Sequence, residues 1–228
     1  GFPYDLTEDA LRAQSLQVDK QGFDTAMAAQ KAAARAAWKG SGEAASEEVW
    51  FDIAEREGST EFTGYSSTSG EGTIVAIVKD GAEVQSASAD DAVIVLTNQT
   101  PFYGESGGQA GDTGTATTKS GAIIKISDVQ KRAGDLHVHI GTVESGVARK
   151  GDEVALSVNA SARATTRRNH SAAHLVHAAL RRVLGTHVTQ KGQLVDAERI
   201  RFDFAHGKAV TPEELAEKLQ MPLEKVRK

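Results

Sequence analysis

The 228-residue chain contains no cysteine. Disulfides are excluded, and so is any metal site built on thiolates from this chain. The lack fits a reducing compartment, and the expected location is cytoplasmic. No apolar run approaches the roughly 18 residues of a membrane-spanning helix. No signal-peptide pattern opens the chain, so no membrane partner is expected. The glycine cluster between Gly104 and Gly114 is not followed by Gly-Lys-Ser/Thr, which excludes a Walker-type phosphate loop. Initiator methionine is also missing: the chain opens on Gly1, in mid-motif, as a piece of a longer protein would.

What is present is an ordinary globular composition, 39% apolar and 25% charged, enough for one or two domains with a real core. Net charge is −5, which by itself argues against a nucleic-acid binder. Its distribution argues otherwise. Residues 161–208 hold nine Lys/Arg against three acids, a net of +6; the last twenty residues are neutral, so the first 160 carry −11. A basic segment beside an acidic one suits a polyanion contact made by one region only. A solvated helix face accounts for the same arginines, and charge alone leaves both open.

Four parts follow from the patterning, and the expected class is α+β. Residues 1–58 read as helical, with alanine-rich amphipathic stretches between Thr7 and Trp38, a Gly40-Ser41-Gly42-Glu43 linker, and a short helix over residues 46–57. Residues 59–158 read as a small β-barrel. Apolar, β-branched runs recur at 73–78, 92–97, 123–129, 136–143 and 153–158, with turn residues between them. Residues 159–208 read as a helix laid on two strands. Ala, Leu and Arg dominate residues 160–184, Gly185 stops the helix, and strand-like runs follow at 187–195 and 200–204. Residues 209–228 read as a helical tail that Pro222 breaks at Met221.

The chemistry centres on the run from Arg167 to His177. His170, His174 and His177 stand at i, i+4 and i+7, which places them on one helix face. Two imidazoles one turn apart can grip one zinc ion, but this helix cannot complete a tetrahedral set. Such a pair is also ordinary on an alanine-rich helix surface.

Several motifs together resemble one family. The stretch from Arg168 through Asn169, His170, Ser171 and His174, then Leu184 to Gly192 with Gln190 and Lys191, then Arg201 to His206 with Asp203, resembles the editing domain of alanyl-tRNA synthetase. The segment from Thr100 to Gly114, with Gly107, Gly108 and Gln109, is similar to that family's glycine-rich segment. Gly1 to Thr7, then Gly22, Phe23, Met27 and Gln30, resemble its link from the tRNA-recognition region. The resemblance runs in the family's order to about Lys208.

It implies a parent ligase that attaches alanine to tRNA(Ala), with this chain in the part that hydrolyses mischarged Ser- or Gly-tRNA(Ala). A small pocket cannot strongly reject serine's extra hydroxyl, so a second, hydrolytic site is needed. By the resemblance, His170 and His174 are zinc ligands, two of four in the family. Gln190 is the catalytic polar residue, holding the amino acid or the attacking water. Arg168, Ala173, Gly107, Gly108, Gln109, Lys191 and Asp203 line the substrate site. ATP and Mg belong to the aminoacylation core, which in the family precedes Gly1. The alternative function is a non-catalytic RNA-binding or interaction module.

Two departures stand out. Ala173 occupies a place where the family often has threonine, which removes a hydroxyl that helps exclude alanine. The family's Cys-x-x-x-His pair is not in this chain, so zinc has two family ligands, and His177, His187 or His206 are the available substitutes. Weak zinc binding and poor deacylation by the isolated chain are the expectation. From Leu215 onward the tail resembles a segment of the primary bacterial sigma factor, an RNA polymerase partner, and suggests a fusion.

Overall fold

In a computed structural model the described residues are 44–207, with isolated positions at 19, 20, 22, 25, 26, 211 and 213. The expected helices between Thr7 and Trp38, the Gly40–Glu43 linker and the tail with its Met221-Pro222 break otherwise lie outside them. Two compact units divide the chain, Gly1–Glu48 and Val49–Lys228. The barrel, the long helix and the hairpin described below all belong to the second.

The first described helix, α1, runs from Ala44 to Glu57. Strands β1 (Glu61–Phe62), β2 (Ser69–Lys79), β3 (Ala82–Val84), β4 (Ser86–Ser88), β5 (Ala92–Thr97), β6 (Gln99–Thr100), β7 (Gly114–Thr118), β8 (Ile123–Arg132), β9 (Leu136–Ser145), β10 (Val147–Arg149) and β11 (Glu153–Val158) follow. Six of them close into an antiparallel barrel in the order β2-β5-β9-β8-β7-β11, with β11 returning to pair with β2. All five expected strands are present. The sixth stave, β7, was not anticipated. Its sequence Gly-Thr-Ala-Thr-Thr has no large apolar residue, and Ala116 is the one residue of this strand in the apolar lumen core.

Alternation along the strands fills the barrel. In β11, Val154, Leu156 and Val158 point inward and their neighbours outward. Bulges reset the parity where the pattern slips. β2 carries one between Ile74 and Ala76, so Ile74 and Ile77 are both interior; β8 carries one between Ile126 and Asp128, so Ile126 and Val129 are both interior. On the outer face, Ala76, Val78, Leu96, Leu136 and Val138 pack against Trp50 and Ile53 of α1. The barrel thus has two cores, one inside and one under the helix.

β5 and β7 lie opposite each other in the ring, so the chain between them must cross one barrel end. Residues 98–113, which hold the glycine cluster, make that crossing. Phe102 plugs the end and is fully buried in the lumen core. A hydrogen-bonded relay holds it: Phe102 N–H donates to Thr100 Oγ1 (3.1 Å), Thr100 O–H donates to His139 Nε2 (2.7 Å), and His139 Nδ1–H donates to the Val95 carbonyl (2.9 Å). Burial pushes the His139 imidazole down to about 4, so it is neutral at physiological pH.

The second helix, α2, spans Ala160–Leu184. The Asn159 side chain accepts from Ala162 N–H (3.0 Å) and caps its start; Gly185, at φ 123°, ends it. Strands β12 (Thr189–Val195) and β13 (Ile200–Ala205) form a hairpin, starting two residues later and ending one residue later than the sequence runs suggest. The Asp196 carboxylate closes its turn by accepting from Glu198 and Arg199 N–H. Asn169 Nδ2 donates to the Asp196 carbonyl (2.8 Å) and Arg181 to the Val188 carbonyl (3.0 Å), which fastens helix to hairpin.

Candidate functional site

The glycine-rich crossing also supplies the join to the hairpin. Ala110 N–H donates to the Val195 carbonyl (2.9 Å) and Val195 N–H to the Gly108 carbonyl (2.8 Å), a short parallel addition to β12. Only glycine fits at 108. Its φ is 81°, and a Cβ there would stand 2.3 Å from the Gln193 carbonyl oxygen. Gly107, at φ 60°, accepts from Gln193 Nε2 (2.8 Å). These two glycines set the backbone that aims Gln109 at α2.

His170 Nδ1 meets Gln109 Oε1 at 2.6 Å. An amide oxygen only accepts, so Nδ1 is the donor in this contact, and Nε2 is the nitrogen that turns to the cleft's ligands in the matching neutral tautomer. The His174 ring lies one turn on, nearly parallel, with centroids 5.1 Å apart and planes at 14°. Both rings, Gln109, Arg167, Arg168 and Leu175 border an open cleft of about 650 Å³. Arg168 is braced by donating to Thr165 Oγ1 (2.9 Å).

The remaining anticipated residues are placed differently. Ala173 is buried, 1% exposed, on the inner side of α2. Lys191 sits in the bulge between Gln190 and Gly192 and is exposed. Asp203 accepts from Arg201 (3.2 Å) across from Gly192. Gln190 is exposed on β12 in register with Phe204 and is not among the residues that border this cleft.

Imidazole nitrogens suit zinc, and a ring whose other nitrogen is held by an amide oxygen suits a metal ligand. The set is incomplete, however: among the described residues no third His, Cys, Asp or Glu joins the pair. The available substitutes lie apart from the pair, although His177 Nε2 and His206 Nε2 are buried without a hydrogen-bond partner. His187 Nε2 and His206 Nδ1 are 2.8 Å apart and bond each other, and His177 packs on Phe202 with centroids 5.2 Å apart.

Sequence reasoning overlooked the Arg163–Asp112 ion pair, whose side chains are 10% and 8% exposed. Arg163 Nε donates to Asp112 (3.1 Å), and its other nitrogens reach the carbonyls of Gly64 (3.2 Å), Ser67 (3.4 Å) and Pro101. Asp112 also accepts from Tyr103 N–H (2.6 Å). The pair locks the start of α2 to the crossing loop, and so fixes the distance from Gln109 to His170. The available signal was the aspartate inside the glycine-rich motif, a charge with no obvious surface role.

The family model described as tRNA synthetases class II (A) matches residues 1–162. The chain is 63% identical over 217 residues to the alanine–tRNA ligase of Sphingopyxis alaskensis, 64% over 216 to that of Rhizorhabdus wittichii and 54% over 217 to that of Parvibaculum lavamentivorans. Each match covers 95% of this chain and 24% of the relative, so the chain spans about a quarter of their length. These relatives lend no support to a sigma-factor origin for the tail. With more than half its residues matched by the family model, the chain belongs to the class II (A) tRNA synthetases.

Proposed function

We propose that this chain is the proofreading part of an alanine–tRNA ligase, in which the cleft beside His170 and His174 hydrolyses Ser- or Gly-tRNA(Ala). The parent protein would join alanine to tRNA(Ala) with ATP and Mg in a separate region. One observation carries the reading: the 2.6 Å contact from Gln109 to His170 brings two motifs 61 residues apart to one cleft. Strong similarity to three alanine–tRNA ligases supports the parent assignment.

His170 and His174 would hold zinc through their ring nitrogens. Zinc when bound would supply a positive charge that orients the aminoacylated 3′ end. Gln109, accepting from Nδ1, would favour the tautomer in which Nε2 is the metal-binding nitrogen. Arg167 and Arg168 would receive the RNA phosphates, a contact that salt weakens steeply. Gln190 would bind the amino acid or the water by its amide, which requires the 3′ end to reach across to β12.

The test is Ser-tRNA(Ala) clearance by the parent ligase with and without His170→Ala. Loss of clearance is expected, while equal clearance in both would defeat the proposal. For the 228-residue chain alone, zinc is expected to leave on dialysis against a mild chelator, because two protein ligands fall short of the usual three or four. Stoichiometric zinc after dialysis would show that a further residue completes the site.

A further inference from the structure

A second cleft of about 490 Å³ adjoins the first and shares Gln109 and Arg167 with it. Its wall is aromatic. Phe62 meets Tyr65 edge-on (centroids 4.9 Å, 78°) and Tyr103 likewise (6.3 Å, 74°), and His137 stacks on Phe62 (5.5 Å, 3°). Tyr65 is nonetheless 94% exposed. A large ring left in water on a slack loop would mean little. This loop is not slack. Arg163 grips the Gly64 and Ser67 carbonyls on either side of Tyr65, and a Cβ on Gly64 would stand 2.3 Å from the Pro101 oxygen. The ring is therefore presented by a backbone that a buried ion pair holds in place.

No acidic side chain borders either cleft among the described residues, and Arg167 stands where they meet. An exposed ring on a rigid support, one residue of positive charge away from a neighbouring cleft, matches the way single-stranded nucleic acid is held: bases stack on rings and arginine takes the phosphate between. We propose that the second cleft is a subsite for an unpaired nucleotide of single-stranded RNA, stacked on Tyr65, with Arg167 on the phosphate that links it to the nucleotide in the first cleft. The subsite rests on the hydrolytic reading of that first cleft. Stacking accepts any base, so the subsite fixes the path of the strand rather than its sequence.

The experiment measures fluorescence anisotropy of a 5′-fluorescein hexaribonucleotide with the 228-residue chain at low salt. Tyr65→Ala is expected to weaken binding about tenfold and Tyr65→Phe to leave it within about twofold. An abasic strand of equal length should bind the wild-type chain and Tyr65→Ala alike. Equal hexaribonucleotide binding by wild type and Tyr65→Ala would overturn the subsite and leave the aromatic cleft to a protein surface. So would an abasic strand that binds wild type as tightly as the hexaribonucleotide. His170→Ala clearance of Ser-tRNA(Ala), read separately in the parent ligase, reports on the first cleft alone. If that reading fails, clearance is unchanged; if only the subsite fails, clearance is lost as expected while the Tyr65 arms show no effect.

Discussion

The barrel and the helix–hairpin differ in how they are held. Every barrel stave sends side chains into a closed lumen, and α1 covers part of the outside with Trp50 and Ile53. By contrast, α2 buries only Thr166 and Ala173 among its 25 residues, while Leu175 is 71% and Val176 42% exposed. A closed sheet satisfies its own backbone and packs itself; a helix on a two-stranded hairpin depends on ties. Those ties are Arg163 to Asp112, Asn169 to Asp196, and the hydrogen-bonded join of Ala110 and Gly108 to Val195. The candidate site lies where the well-packed part meets the poorly packed one. Gln109 comes from a loop pinned to the barrel, and the two histidines from the helix that the ties hold in place.

The largest expected effect comes from cutting the main tie. Arg163→Ala leaves Asp112 buried and unpaired and should destabilise the fold by about 3–5 kcal/mol in urea unfolding. A loss under about 1 kcal/mol would mean that α2 docks without the pair. Phe102→Ala should cost about 3–5 kcal/mol by leaving a cavity at the barrel end. If its effect matched that of an exposed residue, the plug would be dispensable to the lumen.

Acid should weaken the barrel through its buried imidazole. The buried His139 imidazole is held neutral, with its value lowered to about 4, whereas the unfolded chain protonates near 6.5. The unfolded state therefore binds more protons between those values. The contribution is fully present above about pH 6.5, falls as pH drops through the window and levels off near pH 4, a total of about 3 kcal/mol. Burial lowers His137 in the same direction. An NMR titration that puts His139 above 6 would refute this.

Smaller effects test the join and the open face. Gly108→Ala should cost about 1–3 kcal/mol through its positive φ and the clash with Gln193. Faster amide exchange at Ala110 and Val195 should accompany it. Leu175→Ser, on the exposed face of α2, should change stability by less than about 0.5 kcal/mol. A loss of 2 kcal/mol there would show that this face is covered in solution.

Much of this architecture was legible from local pattern. The strand–turn rhythm foretold five of the six staves, and the alanine-rich stretch with Gly185 bounded α2. The stave that escaped, β7, is made of Gly, Thr and Ala, and only Ala116 of it joins the apolar lumen core, so no apolar alternation marks it as a strand. Parity slips at Ile74/Ala76 and Ile126/Asp128 were equally hidden, since a bulge is set by the partner strand and not by the residue that bulges.

By itself the sequence determined five of the six staves, the bounds of α2 and the histidine pair on one face of a helix. These depend on spacing of 2 or 3.6 residues, and neighbours in the chain suffice to specify them. The tertiary structure alone decided which partners those residues meet. Gln109 reaches His170 over 61 residues of chain, Arg163 reaches Asp112 over 51, and Gln190 is exposed on β12, away from the cleft that both histidines border. Such pairings depend on the crossing of the barrel end and the capture of Gly108 by β12. Both are closures between distant segments, and no local period in the sequence encodes them.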